Sequence, residues 1–212
     1  MNPVRLQVNS LLPLFLCAVV LSACSLGKPP PPTRLYVLTA LPPLTGGSGG
    51  KSPTGVAVGV GPVELPRYLS RPQIVTGESG NELQQAPFDQ WAEPLDTNFT
   101  RVLAQNLSQM LATERVAVFP WKGAVPLDYQ VVVEVTHFLG VPNGTVSLVA
   151  LWRVLGKDGK QSLVSRESRI TESTGSADYA ALAAAMSRTV AALSRDITAT
   201  ITDLARQGAA HP

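Results

Sequence analysis

Tyr129-Gln130-Val131-Val132-Val133-Glu134-Val135-Thr136-His137-Phe138 is the stretch on which the fold turns. In an extended chain Tyr129, Val131, Val133 and Val135 share one face, with Gln130, Glu134 and Thr136 on the other. That period of two marks a strand with one buried side. Asn143-Gly144 follows as a hairpin turn signal. Thr145 to Leu155 returns with apolar residues on both faces, which places it centrally in its sheet. Lys157-Asp158-Gly159-Lys160 is a second tight turn, and Gln161 to Thr171 is a more polar third strand near an edge. From about Ala177 to Arg206, Tyr179, Leu182, Met186, Val190, Leu193, Ile197, Ile201 and Leu204 recur at spacings of three and four. They form the stripe of a long helix packed on the sheet, with a partner-helix surface as the alternative.

Toward the N-terminus, Arg115 to Phe119 reads as a strand ended by Pro120. Apolar residues at 95, 99, 102, 103, 107, 110 and 111 predict a helix; Phe88 to Leu95 leads into it, with Pro94 in the first turn. Gln73 to Thr76 is a short strand, Gly77 to Asn81 its turn and Glu82 to Gln85 the return. Val56 to Val60 is a buried strand ending at Gly61-Pro62, and Leu35 to Leu38 is the first strand. The fold class is α/β: one domain over residues 34–206, a mixed sheet packed by two main helices in a sandwich. Residues 207–212 are expected to be a disordered tail.

The chain begins with a cleavable segment. Leu11 to Leu21 is apolar, too short for a permanent span of about 20 residues, and Leu21-Ser22-Ala23-Cys24 has the pattern of a lipobox. Small residues at 22 and 23 suit a narrow peptidase groove, and the Cys24 thiol is the nucleophile for a diacylglycerol group. Residues 1–23 are therefore a lipoprotein signal peptide, and Cys24 is the lipidated first residue of the mature chain. Residues 24–33 are the tether, in which Pro29 to Pro32 favour a stiff extended spacer. Two or three acyl chains hold where one would not. Ser25, lacking the aspartate that retains many such proteins in the inner membrane, favours the periplasmic face of the outer membrane of a Gram-negative bacterium.

Composition excludes several classes. The net charge of the 212 residues is +2; losing Arg5 with the signal leaves +1, with no electrostatic case for nucleic acid. Of 2 cysteines, Cys17 leaves with the signal and Cys24 is acylated, so the mature domain has no free thiol. No H-E-x-x-H, P-loop or metal-ligand spacing is present, and no cofactor is expected. Gly46-Gly47-Ser48-Gly49-Gly50 matches a hydrolase elbow only in letters, because its flanks are linker. His137 and His211 are isolated. Glu64, Glu82, Asp89 and Glu93 read as scattered carboxylates, although a pair among them is compatible with the sequence. Trp91, Trp121 and Trp152 read as core or sheet-face aromatics, and the N-x-S/T triplets at Asn98, Asn106 and Asn143 carry no weight. The chain is not expected to be an enzyme.

The lipobox at Cys24, Tyr36-x-Leu38, the run from Val58 to Val75 (Gly59-Val60-Gly61-Pro62-Val63-Glu64-Leu65-Pro66, Tyr68-Leu69, Arg71-Pro72-Gln73-Ile74-Val75) and Trp91-Ala92-Glu93-Pro94-Leu95 together resemble the ABC-type transport auxiliary lipoproteins, the paraquat-inducible protein C group among them. Asn81-Glu82-Leu83, Arg101 to Leu107 and Val146 to Trp152 extend the likeness. Ser70 departs from it, standing where an aspartate is more usual. The resemblance implies a mixed α/β sandwich. It also implies a non-catalytic partner of MCE-domain proteins and ABC transporter components, which move phospholipids or other hydrophobic molecules between membranes and which the lipoprotein docks at the outer membrane. A homo-oligomeric ring around a conduit would suit that role. Arg67, Tyr68, Leu69, Arg71 and Pro72, between prolines, with Trp91, are the candidate partner contacts. The competing reading is an outer-membrane lipoprotein that regulates peptidoglycan synthesis or envelope assembly.

Overall fold

The computed structural model describes residues 29–42, 55–77, 81–121 and 126–210, with side chains to residue 208. The expected signal segment, Cys24, the glycine-rich run at 46–50 and His211 lie outside the described residues. Residues 1–32 form a unit of their own, in which Pro29 to Pro32 are exposed and without regular structure. Residues 33–212 form the second unit.

That second unit contains a five-stranded and a three-stranded sheet. In chain order the elements are β1 (Arg34–Tyr36), β2 (Val58–Glu64), a 3-10 turn (Arg67–Leu69), β3 (Gln73–Gly77), β4 (Leu83–Trp91), α1 (Leu95–Met110), β5 (Val116–Val118), β6 (Tyr129–Gly140), β7 (Thr145–Leu155), β8 (Ser162–Ser173) and α2 (Tyr179–Ala210). The five-stranded sheet has the order β5-β2-β6-β7-β8, with β2 parallel to both neighbours and β6-β7-β8 an antiparallel meander. The smaller sheet has the order β1-β4-β3. α1 packs on β2 and β5, α2 on β6, β7 and β8, and the helices pack on each other.

The alternation read at Tyr129 to Val135 holds: Val131, Val133 and Val135 are buried. It then breaks. Val135 pairs with Ala150 and His137 with Val149, so Thr136 is an extra residue in a bulge. The bulge turns Phe138 inward, edge-to-face on Phe99 at 5.6 Å, and moves His137 off the apolar face where strict alternation would place it. β7 is interior and β8 is the edge, as its polarity indicates.

Several boundaries differ from the sequence reading. The first strand ends at Tyr36 and not at Leu38, because from Leu38 onward the backbone bonds to side chains of the helices instead of to β4. β2 does not stop at Gly61-Pro62 but runs to Glu64, because a register shift between Val60 and Val63 absorbs the proline, which has no N–H to donate. The return strand does not stop at Gln85. β4 continues to Trp91, and the segment expected to lead into a helix is strand; Pro87 sits where the pairing with β3 is irregular. α2 continues through Ala210, so residues 207–210 of the expected tail are helical; alanines at 209 and 210 favour helix.

Residues 37–41 form a strap across the two helices, held by side chains in place of a neighbouring strand. The Leu38 N–H donates to Asn98 Oδ1 and Asn98 Nδ2 donates back to the Leu38 carbonyl. The Thr39 N–H donates to Ser187 Oγ at 3.1 Å, and the Leu41 N–H to Asn106 Oδ1 at 2.9 Å. Asn106 Nδ2 reaches Ser194 Oγ at 3.1 Å, so one amide ties strap, α1 and α2 together. Among the described residues no buried side-chain nitrogen or oxygen lacks a partner. No described helix is long and apolar enough to cross a membrane.

Candidate functional site

The chain from β2 to β3 and the chain from β4 to α1 meet at one cleft. After Pro66 the backbone makes a 3-10 turn, with the Leu69 N–H donating to the Pro66 carbonyl at 2.9 Å and the Ser70 N–H to Arg67 at 3.0 Å. The turn buries Leu69 and leaves Ser70, Arg71 and Pro72 exposed. The Trp91 N–H donates to the Pro72 carbonyl at 2.7 Å, closing this loop onto the end of β4. The Ala92 N–H donates to the Tyr36 carbonyl at 2.9 Å, joining the same point to β1. Pro94, extended at φ −52° and ψ 130°, then starts α1.

The resulting cleft measures about 310 Å³. Buried Leu69, Trp91 and Leu95, with Leu65, Pro72 and Pro94, give it an apolar lining, and Ser70, Arg71, Ala92, Glu93 and Asp96 complete it. Glu93 is ion-paired with Arg101, and the Asp96 carboxylate accepts the Thr97 N–H at 2.6 Å. Arg71 has no ion-pair partner among the described residues. A second, shallower groove shares Asp96 and runs past Thr97 and Arg101 to the exposed Val118 and Phe119.

Of the candidate contacts, Leu69, Arg71, Pro72 and Trp91 are brought together. Arg67 and Tyr68 are not among the lining residues. Arg67 is exposed, whereas Tyr68 is half-buried against the core, where burial pushes its phenol pKa up and a hydrogen bond with the Phe138 backbone partly opposes this. The sequence reading did not single out Asp96; Leu65 stood in the run carrying the resemblance, and Pro94 and Leu95 were read both there and as the start of the helix, but none of the three as a contact.

The acidic residues do not converge. Asp89 is buried and bound by Arg34 Nε at 2.8 Å and by the Tyr36 hydroxyl at 2.8 Å. This neighbourhood holds the Arg34 guanidinium further above its ordinary pKa, chiefly through the hydrogen bond to Asp89. It raises Tyr36, by burial first and the carboxylate second. Glu64 stands beside Glu134 on the sheet. Among the described residues no group of three histidines, cysteines or carboxylates could hold a metal. What the cleft offers is apolar burial beside a cation, Arg71, and a carboxylate, Asp96, neither with an ion-pair partner among the described residues, which is binding chemistry.

Solved structures share this fold. One, of an uncharacterized protein, superposes with TM-score 0.65 at 22% identity, covering 81% of this chain and 99% of its own. Another, from Xanthomonas campestris, gives TM-score 0.64 at 19% identity over 85% of this chain and 100% of its own. No curated protein matches. The family model for the ABC-type transport auxiliary lipoprotein component matches residues 36–198, from β1 through most of α2, and the chain belongs to that family.

Proposed function

We propose that this protein is a non-catalytic, lipid-anchored periplasmic subunit of an MCE/ABC-type system that moves lipid or another hydrophobic solute between membranes. In this reading it is tethered through Cys24 at the outer membrane and docks the MCE-domain protein through the cleft at Arg71 and Trp91. One observation carries the reading. Leu65 and Leu69 to Pro72, from the Val58–Val75 run that carries the family resemblance, and Trp91 to Leu95, its second specific stretch, fold onto a single largely apolar cleft in which Arg71 has no ion-pair partner among the described residues. An apolar partner side chain seated there would be worth about 2–4 kcal/mol.

The test is co-purification of the acylated protein with the MCE-domain subunit. Arg71→Glu combined with Ala92→Arg charges and fills the cleft at two exposed positions without touching the buried floor. Loss of the subunit is the expected result. Retention at parental yield would rule out docking here.

A further inference from the structure

β8 is the outer strand of the five-stranded sheet, and it is long, exposed and regular. It pairs with β7 without irregularity from Val164 to Glu172, and among the described residues no strand pairs with its other side. An edge of this length invites another chain unless its side chains forbid it.

The side chains here select rather than forbid. Glu167 and Arg169 project from the face opposite the helices, as their pairing with Leu151 and Val149 shows, and are exposed; within the strand they form an ion pair at 2.6 Å. An antiparallel two-fold pairing of β8 with itself sets residue against residue with a constant sum of numbers. Centred on Arg166, Glu167 or Arg169, it places identical charges opposite each other. Centred on Ser168, it places Glu167 opposite Arg169 of the second copy, and the symmetry repeats that pair. In this register Ser165 faces Thr171, and on the helix side Arg166 faces Ile170 and Val164 faces Glu172, with no like charges opposed.

We propose that β8 is the contact surface for a second copy of this chain, joined edge to edge about Ser168 into one continuous ten-stranded sheet. The contact is independent of the Arg71 cleft.

The test uses the full acylated chain in the bacterial envelope, where cysteines oxidise readily. With Cys24 acylated the parent has no free thiol, and it serves as the blank. Ser165→Cys with Thr171→Cys is expected to give a disulfide-linked dimer on a non-reducing gel, and either substitution alone none, because neither position faces itself. Adding Glu167→Arg to the pair should lose most of the dimer, and adding Arg169→Glu as well should restore it. A cysteine pair that gives no dimer in protein as protease-resistant as the parent overturns the proposal. So does a dimer indifferent to Glu167→Arg, or one formed equally by the single cysteines.

Discussion

Asn106, wholly buried on α1, accepts the backbone N–H of Leu41 at 2.9 Å, sixty-five residues away in the chain. Its amide nitrogen donates to Ser194 on α2, and Asn98 holds Leu38 in the same manner two turns earlier. The strap therefore has the backbone satisfaction of a strand without a neighbouring strand.

Asn106→Ala should cost about 1–3 kcal/mol, since it strips the part-buried Leu41 N–H of its acceptor and removes the amide that donates to Ser194, whose hydroxyl keeps only its bond to the Val190 carbonyl. Urea denaturation measures this. Gln105→Ala, exposed on the same helix, should change stability by less than about 0.5 kcal/mol.

The Arg34–Asp89 pair behaves differently because its ends differ in exposure. The Arg34 side chain is 60% exposed and that of Asp89 only 5%. Asp89→Ala removes the acceptor of both Arg34 and the Tyr36 hydroxyl, whereas Arg34→Ala leaves the tyrosine bond in place. The first should destabilise more, and a double-mutant cycle should give only a small coupling, because the guanidinium is solvent-exposed. Amide exchange at residues 36–41 should quicken in Asp89→Ala if this pair secures the entry of the strap.

The meander β6-β7-β8 and α2 were legible because their signals are local: two-residue alternation, Asn143-Gly144, Lys157-Asp158-Gly159, and a stripe at spacings of three and four. The inner half of β4 was not, because Pro87 and the irregular pairing around it erase the alternation between Gln85 and Trp91. Nor was the strap, whose bonds join positions sixty and more residues apart. Asn98 and Asn106 flank the apolar stripe of α1, and that placement of two amides at a spacing of eight was the available signal. Of the residues lining the cleft, Leu69, Arg71, Pro72 and Trp91 had been singled out as contacts; Arg67 and Tyr68 did not belong, and an aromatic between prolines looks the same whether it projects or packs inward.

Gly59 is held by space and not by conformation. A β-carbon there would stand 2.6 Å from Leu127 Cδ1 and 2.6 Å from Trp121 Cη2. The leucine end can move, but the indole ring lies edge-to-face with Phe119 at 5.4 Å. Gly59→Ala should therefore cost about 1–3 kcal/mol by overpacking. Trp121→Leu in the same chain should recover part of it, measured by the urea midpoint of each variant.

Asp178 makes stability depend on pH. Its carboxylate accepts the Ser176 hydroxyl and, at 2.7 Å, the Ala181 N–H in the first turn of α2. These bonds hold its pKa below the ordinary carboxylate value, the serine bond first. Asp158 is lowered likewise by the N–H groups of Lys160 and Gln161 in the turn before β8. A folded-state pKa below the unfolded one means that the unfolded chain binds more protons in this range. The stabilisation is therefore complete above the unfolded carboxylate pKa of about 3.9 and is lost as pH falls through the folded value. Asp178→Ala should lower the melting temperature at pH 7, and its gap from the parent should narrow steadily below about pH 4. A gap of constant width down to acid unfolding would show that the carboxylate charge contributes nothing to capping α2.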